Sequence, residues 1–232
     1  MQHVSPEARG LPSPSDIRPR SLVAAGFTLI ELLVVIAILG VLASVLLPEI
    51  IGSRETANIF ADKKNLEWHY QALENYRSRL KQFPKEGGHK FVLAPWVDKV
   101  VQRTPENRQR YFNPAHWDSD VRLLELKEVD PEEHWKSYGE ITSQDTSYAG
   151  RAKKYLAGVS LDSGKEAWVA DDNEFGRAFP SGAINMLMGG GQVRELTPKD
   201  LARYPGVDLD DDQYVVPVGP DSPVPELQKL EK

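Results

Sequence analysis

The longest pattern along the chain is an unbroken apolar run, FTLIELLVVIAILGVLASVLL, from Phe27 to Leu47. Its 21 residues carry a single charge, Glu31. At about 1.5 Å per residue, a helix of that length reaches roughly 30 Å, the thickness of a bilayer core. Apolar on every face, the run predicts a membrane-crossing helix over 27–47. Pro48 follows and removes one helical hydrogen bond, which predicts a kink or local melting near the membrane exit. Beyond Gly52 the pattern turns amphipathic. Ile59, Leu66, Leu73 and Leu80 recur every seven residues, with Phe60, Tyr70, Tyr76 and Phe83 nearby. Asp62, Lys63, Lys64, Glu67 and Glu74 are assigned to the opposite, solvated face. This spacing predicts a helix continuing to about Leu80 and ended by Pro84 and Gly87-Gly88. Its aromatics suit a stripe packed on a sheet better than a lone coiled coil.

Residues 85–150 are harder to read. Phe91-Val92-Leu93 and Trp96-Val97 are short apolar pieces, Val121 to Val129 fits a strand or a short helix, and Pro95, Pro105, Pro114 and Pro131 punctuate the rest. Trp117 and Trp135 read as core rather than contact residues, because aromatics are usually buried. Strand signals sharpen after Tyr155. Ala167–Ala170 is a short strand ending in the turn-like Asp171-Asp172-Asn173. Alternation on both sides of Gly189-Gly190-Gly191 predicts a β-hairpin from Gly182 to Leu196. Pro198 to Lys232 is acidic and proline-rich, and reads as a loosely attached tail.

Composition narrows the picture. The 232 residues leave room for one modest domain beside the apolar run. A net charge of −6 gives a nucleic-acid partner no electrostatic support. The chain has no cysteine, so packing, hydrogen bonds or an ion must hold its head together. Seventeen prolines and seventeen glycines point to a loop-rich head rather than a helical bundle. Arg18 and Arg20 precede the apolar run and nothing basic follows it at once. By the positive-inside rule, the amino-terminal segment stays cytoplasmic and the carboxyl-terminal bulk is exported. A secretory signal would place its apolar region before a cut; here the anchor would be retained.

The segment Ala24-Ala25-Gly26-Phe27-Thr28-Leu29-Ile30-Glu31 and the apolar run behind it resemble the class III signal of type IV pilins and type II secretion pseudopilins. The resemblance implies that a prepilin peptidase cuts after Gly26, that the new terminal Phe27 is N-methylated, and that Glu31 serves assembly. It also implies a filament of packed apolar helices. A charge at the centre of a membrane helix costs about 2.5–3.5 kcal/mol on insertion scales. Pairing Glu31 with the terminal amine of a neighbouring Phe27 would relieve two desolvated charges and set subunit register. The alternatives for Glu31 are snorkelling to a headgroup or capping the helix start.

A second resemblance lies in the hairpin. Pro180 to Val193 is similar to the ending of pilin-like proteins common in planctomycetes and verrucomicrobia. Asn185, Gly191 and Val193 match, while Pro180 and Gly190 stand where that pattern has histidine and aspartate. Asp145 to Tyr148 is similar to a short pattern that precedes it in such proteins.

Two acidic clusters are weak candidates for calcium: Asp171, Asp172, Asn173 and Glu174, and Asp208 to Asp212. Neither has EF-hand spacing, and solvated loop charges are the plainer reading. The five histidines are scattered and make no zinc motif. No P-loop, G-x-S-x-G or paired-acid signature occurs, so enzymatic activity and a cofactor have no sequence support. The expected fold is α+β and pilin-like: a long helix, transmembrane in its first half and amphipathic in its second, packed on a small antiparallel sheet. The expected layout is a leader at 1–26, a transmembrane helix at 27–47, its amphipathic continuation at 48–83, a head at 84–197 and a flexible tail at 198–232. The resemblance implies prepilin peptidase, other pilin or pseudopilin subunits, an inner-membrane assembly platform and lipid as partners. The competing reading is a signal-anchored periplasmic binding module that never polymerises.

Overall fold

The computed structural model describes residues 27–117, 121–157, 164–172, 176–211 and 213–232. It divides into two compact units, Met1–Leu47 and Pro48–Lys232. Within the first, the described residues are the start of α1 (Leu29–Leu80), a 52-residue helix. Every side chain from Phe27 to Leu47 is exposed in the isolated chain. Among the described residues, α1 is the one helix long and apolar enough to cross a membrane. The backbone stays helical through Pro48, so the expected local melting does not occur there.

In the second unit, α1 buries Asp62, Leu66, His69, Ala72, Leu73 and Tyr76. That stripe recurs at three- and four-residue steps, the spacing of one helix face. It corrects the face assigned to Asp62, which is fully buried rather than solvated. Phe60 and Leu80, taken for the apolar face, are 62% and 41% exposed.

Five antiparallel strands form one sheet: β1 (Tyr148–Arg151), β2 (Ala167–Asp171), β3 (Ile184–Met188), β4 (Val193–Leu196) and β5 (Leu230–Glu231). Their order is β4-β3-β2-β1-β5. The expected hairpin is β3–β4, with Ile184 opposite Leu196 and Leu187 opposite Val193. Gly190 and Gly191 turn it with φ of 81° each, a conformation that suits glycine. The β2–β3 register shifts between Ala167 and Val169. The extra residue is Trp168, which stacks near Phe83 and Phe91 at 5.3 and 5.7 Å between ring centres.

The first three strands are buried on both faces, so their residues alternate between two cores. Tyr148, Val169 and Leu187 join Leu66 and Leu73 of α1. Ala149, Ala170, Ile184 and Met186 face the other way and meet Leu201, Val216, Val224, Leu227 and Leu230. Residues 198–232 are therefore not a loose tail. They cover the second face of the sheet and contribute its edge strand β5, which pairs with β1. The physical reason is the apolar second face, which would otherwise meet water.

The middle insert is helical. α2 (His89–Val97) buries every residue from Phe91 to Val97, despite Pro95 inside it. α3 (Pro105–Gln109), α4 (Pro114–Trp117) and α5 (Val121–Lys127) follow, so the segment read as strand or short helix is a short helix that ends at Lys127. Trp117 and Trp135 are core residues, as expected. Trp135 packs edge-on against Trp96 and Tyr111 at 5.6 and 5.8 Å. α2 lies so close to β1 that a Cβ on Gly150 would come within 2.2 Å of the Gly88 carbonyl oxygen.

Candidate functional site

Two places concentrate chemistry. The first is the start of α1. The Thr28 amide and hydroxyl both donate to Glu31 Oε2, at 2.8 and 2.7 Å. The Glu31 amide in turn donates to Thr28 Oγ1 at 3.3 Å. Thr-x-x-Glu here forms a capping box, which satisfies backbone donors left free in the first helical turn. Phe27 lies just ahead, 82% exposed. Gly26 lies outside the described residues.

The second is a buried polar network between α1 and the sheet. Asp62 Oδ1 accepts from the Tyr148 hydroxyl at 2.6 Å, and Asp62 Oδ2 from Asn185 Nδ2 at 2.8 Å. Asp171 Oδ2 accepts from the Asn185 amide at 2.9 Å, and Asp171 Oδ1 from Asn113 Nδ2 at 2.8 Å. Burial pushes the Asp62 carboxyl up to about 6, against the pull of its Tyr148 and Asn185 bonds. Burial, with the Asp62 charge beside it, pushes Asp171 well above the usual carboxylate range. About two helical turns along α1, His69 donates from Nε2 to the Arg110 carbonyl at 2.9 Å. Burial drives its pKa down to about 3, so the ring is neutral.

This geometry revises the calcium candidates. Asp171 and Asp172 are buried core residues rather than solvated loop charges. Both oxygens of Asp171 are engaged by amide donors. Glu174 and Asp212 lie outside the described residues. Among the described residues, no three acidic or histidine side chains are grouped to hold a metal ion. Asp62, Tyr148, Asn113 and Asn185 were not singled out for this role by sequence reasoning. The available signals were a polar Asn185 inside an apolar strand and the stripe 62-66-69-73-76 on α1.

A capped, fully exposed apolar helix with a small two-faced sheet defines a pilin-like subunit. Residues 23–47 match the family described as the prokaryotic N-terminal methylation motif. The chain is 36% identical to type II secretion system core protein G of Klebsiella pneumoniae over 105 residues, 43% of this chain and 73% of that protein. It is 35% identical to the Escherichia coli K12 protein of the same name over 118 residues, 47% of this chain and 74% of that one. Over 35 residues it is 60% identical to the type IV wide pilus major component PilA4 of Thermus thermophilus, 15% of this chain and 27% of that one. No solved structure matches. The chain belongs to the type IV pilin and type II secretion pseudopilin family.

Proposed function

We propose that this protein is a structural subunit of a type II secretion-like pseudopilus or a type IV pilus-like filament. Prepilin peptidase cuts after Gly26, Phe27 is N-methylated, and the mature chain waits in the inner membrane with residues 48–232 in the periplasm. An inner-membrane assembly platform then draws subunits out of the lipid into the filament. Glu31 sets register by facing the amine of a neighbouring Phe27.

The observation that carries this reading is the coincidence of the methylation-motif match with an apolar stretch, Phe27 to Leu47, that is exposed along its whole length. Twenty-one exposed residues need cover, which lipid supplies first and sister helices later. Relatives named as core protein G of type II secretion support the secretion reading over an adhesive pilus.

The test is the amino-terminal mass of the protein purified from its own membranes. A chain starting at methylated Phe27 is the expected result. An intact leader, or a cut elsewhere, overturns the proposal in favour of a tether that does not polymerise.

A further inference from the structure

We propose that the cavity around Asp98 receives a guanidinium group, and that Arg54 of a second copy of this chain supplies it. The cavity holds about 220 Å³ and is lined by Tyr76, Gln82, Lys85, Glu86, Asp98 and Tyr138. Asp98 closes the carboxyl end of α2. The Tyr76 and Tyr138 hydroxyls both donate to its Oδ2, at 2.7 and 2.6 Å. Burial and the Asp98 bond push the Tyr76 phenol up to about 12, so it keeps the proton it donates. Among the described residues, Asp98 Oδ1 takes no donor and the carboxylate has no ion pair.

What the cavity leaves open is acceptor capacity. Both phenol hydrogens are committed to Oδ2, so Asp98 Oδ1 and the lone pairs of two phenol oxygens remain for an incoming donor. The negative end of the α2 dipole adds to the carboxylate's potential. Two arginines reach this helix end, and both are spent on carbonyls. Arg103 donates to those of Trp96 and Val97 at 3.3 and 3.2 Å, and Arg79 to that of Val100 at 3.1 Å. Glu86 is already paired with Lys153 at 3.1 Å. Lys85 is exposed and makes no ion pair, which leaves the Asp98 carboxylate open. A guanidinium, with five N–H donors, a fixed charge and no acceptor, matches this set of oxygens.

Arg54 is the arginine this chain has to spare. Among the arginines whose side chains are described, it is the one with no hydrogen bond, ion pair or ring contact in its own chain. The others face carboxylates, a tryptophan ring or backbone carbonyls. Arg54 is exposed on α1, 22 residues (76 − 54) before Tyr76 and so about 33 Å away along the same helix. No side chain spans that distance, so the two groups meet only between copies. The filament reading above supplies those copies, and this inference rests on it. Parallel helices offset along their axes bring Arg54 of one subunit level with Asp98 of another.

The first experiment titrates the full chain, isotope-labelled at tyrosine and held in detergent micelles, with N-acetyl-arginine amide. The NMR signals of Tyr76 and Tyr138 should shift with a dissociation constant of about a millimolar, the range for one small charged group. The neutral isostere N-acetyl-citrulline amide should shift neither, and Asp98→Asn should weaken arginine binding about tenfold. Equal binding of the citrulline compound, or unchanged binding in Asp98→Asn, overturns the receptor. The second experiment measures filament yield. Arg54→Glu and Asp98→Arg should each lower it by about tenfold or more, because each sets like charges face to face. Combining them exchanges the two ends of the attraction, and yield should return to within about threefold of wild type. Wild-type yield from either single variant, or no recovery in the combination, overturns Arg54 as the supplier. The titration needs no filament. A wild type that is neither cut nor assembled would sink the filament reading and Arg54 with it, while the titration still decides what the cavity binds.

Discussion

The Tyr148 hydroxyl donates to Asp62 Oδ1 at 2.6 Å across 86 residues of chain, joining the first strand of the sheet to the helix that enters the head. Both groups are buried, so neither has water as a substitute partner. Tyr148→Phe removes the donor and leaves a buried carboxyl oxygen unpaired, which costs about 1–3 kcal/mol. Asp62→Leu should cost more, because it strands the Tyr148 hydroxyl and leaves the Asn185 side-chain amide only the Ile59 carbonyl, at 3.3 Å. Urea unfolding of the micelle-bound chain measures both. A loss below about 0.5 kcal/mol for Tyr148→Phe would mean that the bond does not hold helix to sheet.

His69 predicts a loss of stability on the acid side. Buried among Tyr111 and Tyr148, with ring centres at 5.1 Å each, it has a folded pKa held down to about 3 by burial. Its unfolded value is near 6.5, so its contribution is complete above that pH and is lost as pH falls towards 3. His69→Phe should be less stable at neutral pH, because the Arg110 carbonyl loses its donor. Its stability should nevertheless decline less than the wild type's between about pH 6.5 and 4. Equal slopes would show that His69 is not the proton acceptor.

The helix and the hairpin were legible because each rests on local chemistry. An apolar run longer than any soluble helix face has one reading, and alternation around three glycines has another. The polar network was not legible, since Asp62, Asn113, Tyr148, Asp171 and Asn185 meet only after the chain has folded through more than a hundred residues. The repeat of Ile59, Leu66, Leu73 and Leu80 places Asp62, His69 and Tyr76, three residues after each of its first three members, on the same helix face; only the charge of Asp62 argued for solvent. The carboxyl-terminal segment misled for a different reason. Its prolines and aspartates signal loop, and loop it largely is, yet its spaced Leu201, Val216, Val224, Leu227 and Leu230 answer an apolar sheet face that only topology exposes.

That covering role gives the third prediction. Leu227 is fully buried against the face of the sheet remote from α1. Leu227→Ala should cost about 2–5 kcal/mol, the range for deleting a core leucine. A loosely attached segment would show almost no change. Thermal unfolding of the micelle-bound chain distinguishes the two, and proteolysis should become faster within 198–232 if the segment peels away from the sheet.

The last prediction separates the two tasks of Glu31. Within one chain its carboxylate completes the capping box with Thr28. Glutamine can also serve at that position of a capping box, through its side-chain carbonyl. Glu31→Gln should therefore keep the helix start, insert normally and be cut and methylated at the same residue. It lacks the negative charge that would face a neighbouring terminal amine in a low-dielectric filament core, where an unmatched charge is costly. Filament yield should therefore fall at least tenfold while the processed subunit stays at wild-type level in the membrane, as electron microscopy of sheared fractions and immunoblots of membranes would show. Glu31→Ala should lose both tasks, with the cap costing about 1 kcal/mol in addition. Wild-type filaments from Glu31→Gln would mean that Glu31 acts through its capping hydrogen bonds alone, and the charge-pairing account of register would have to be abandoned.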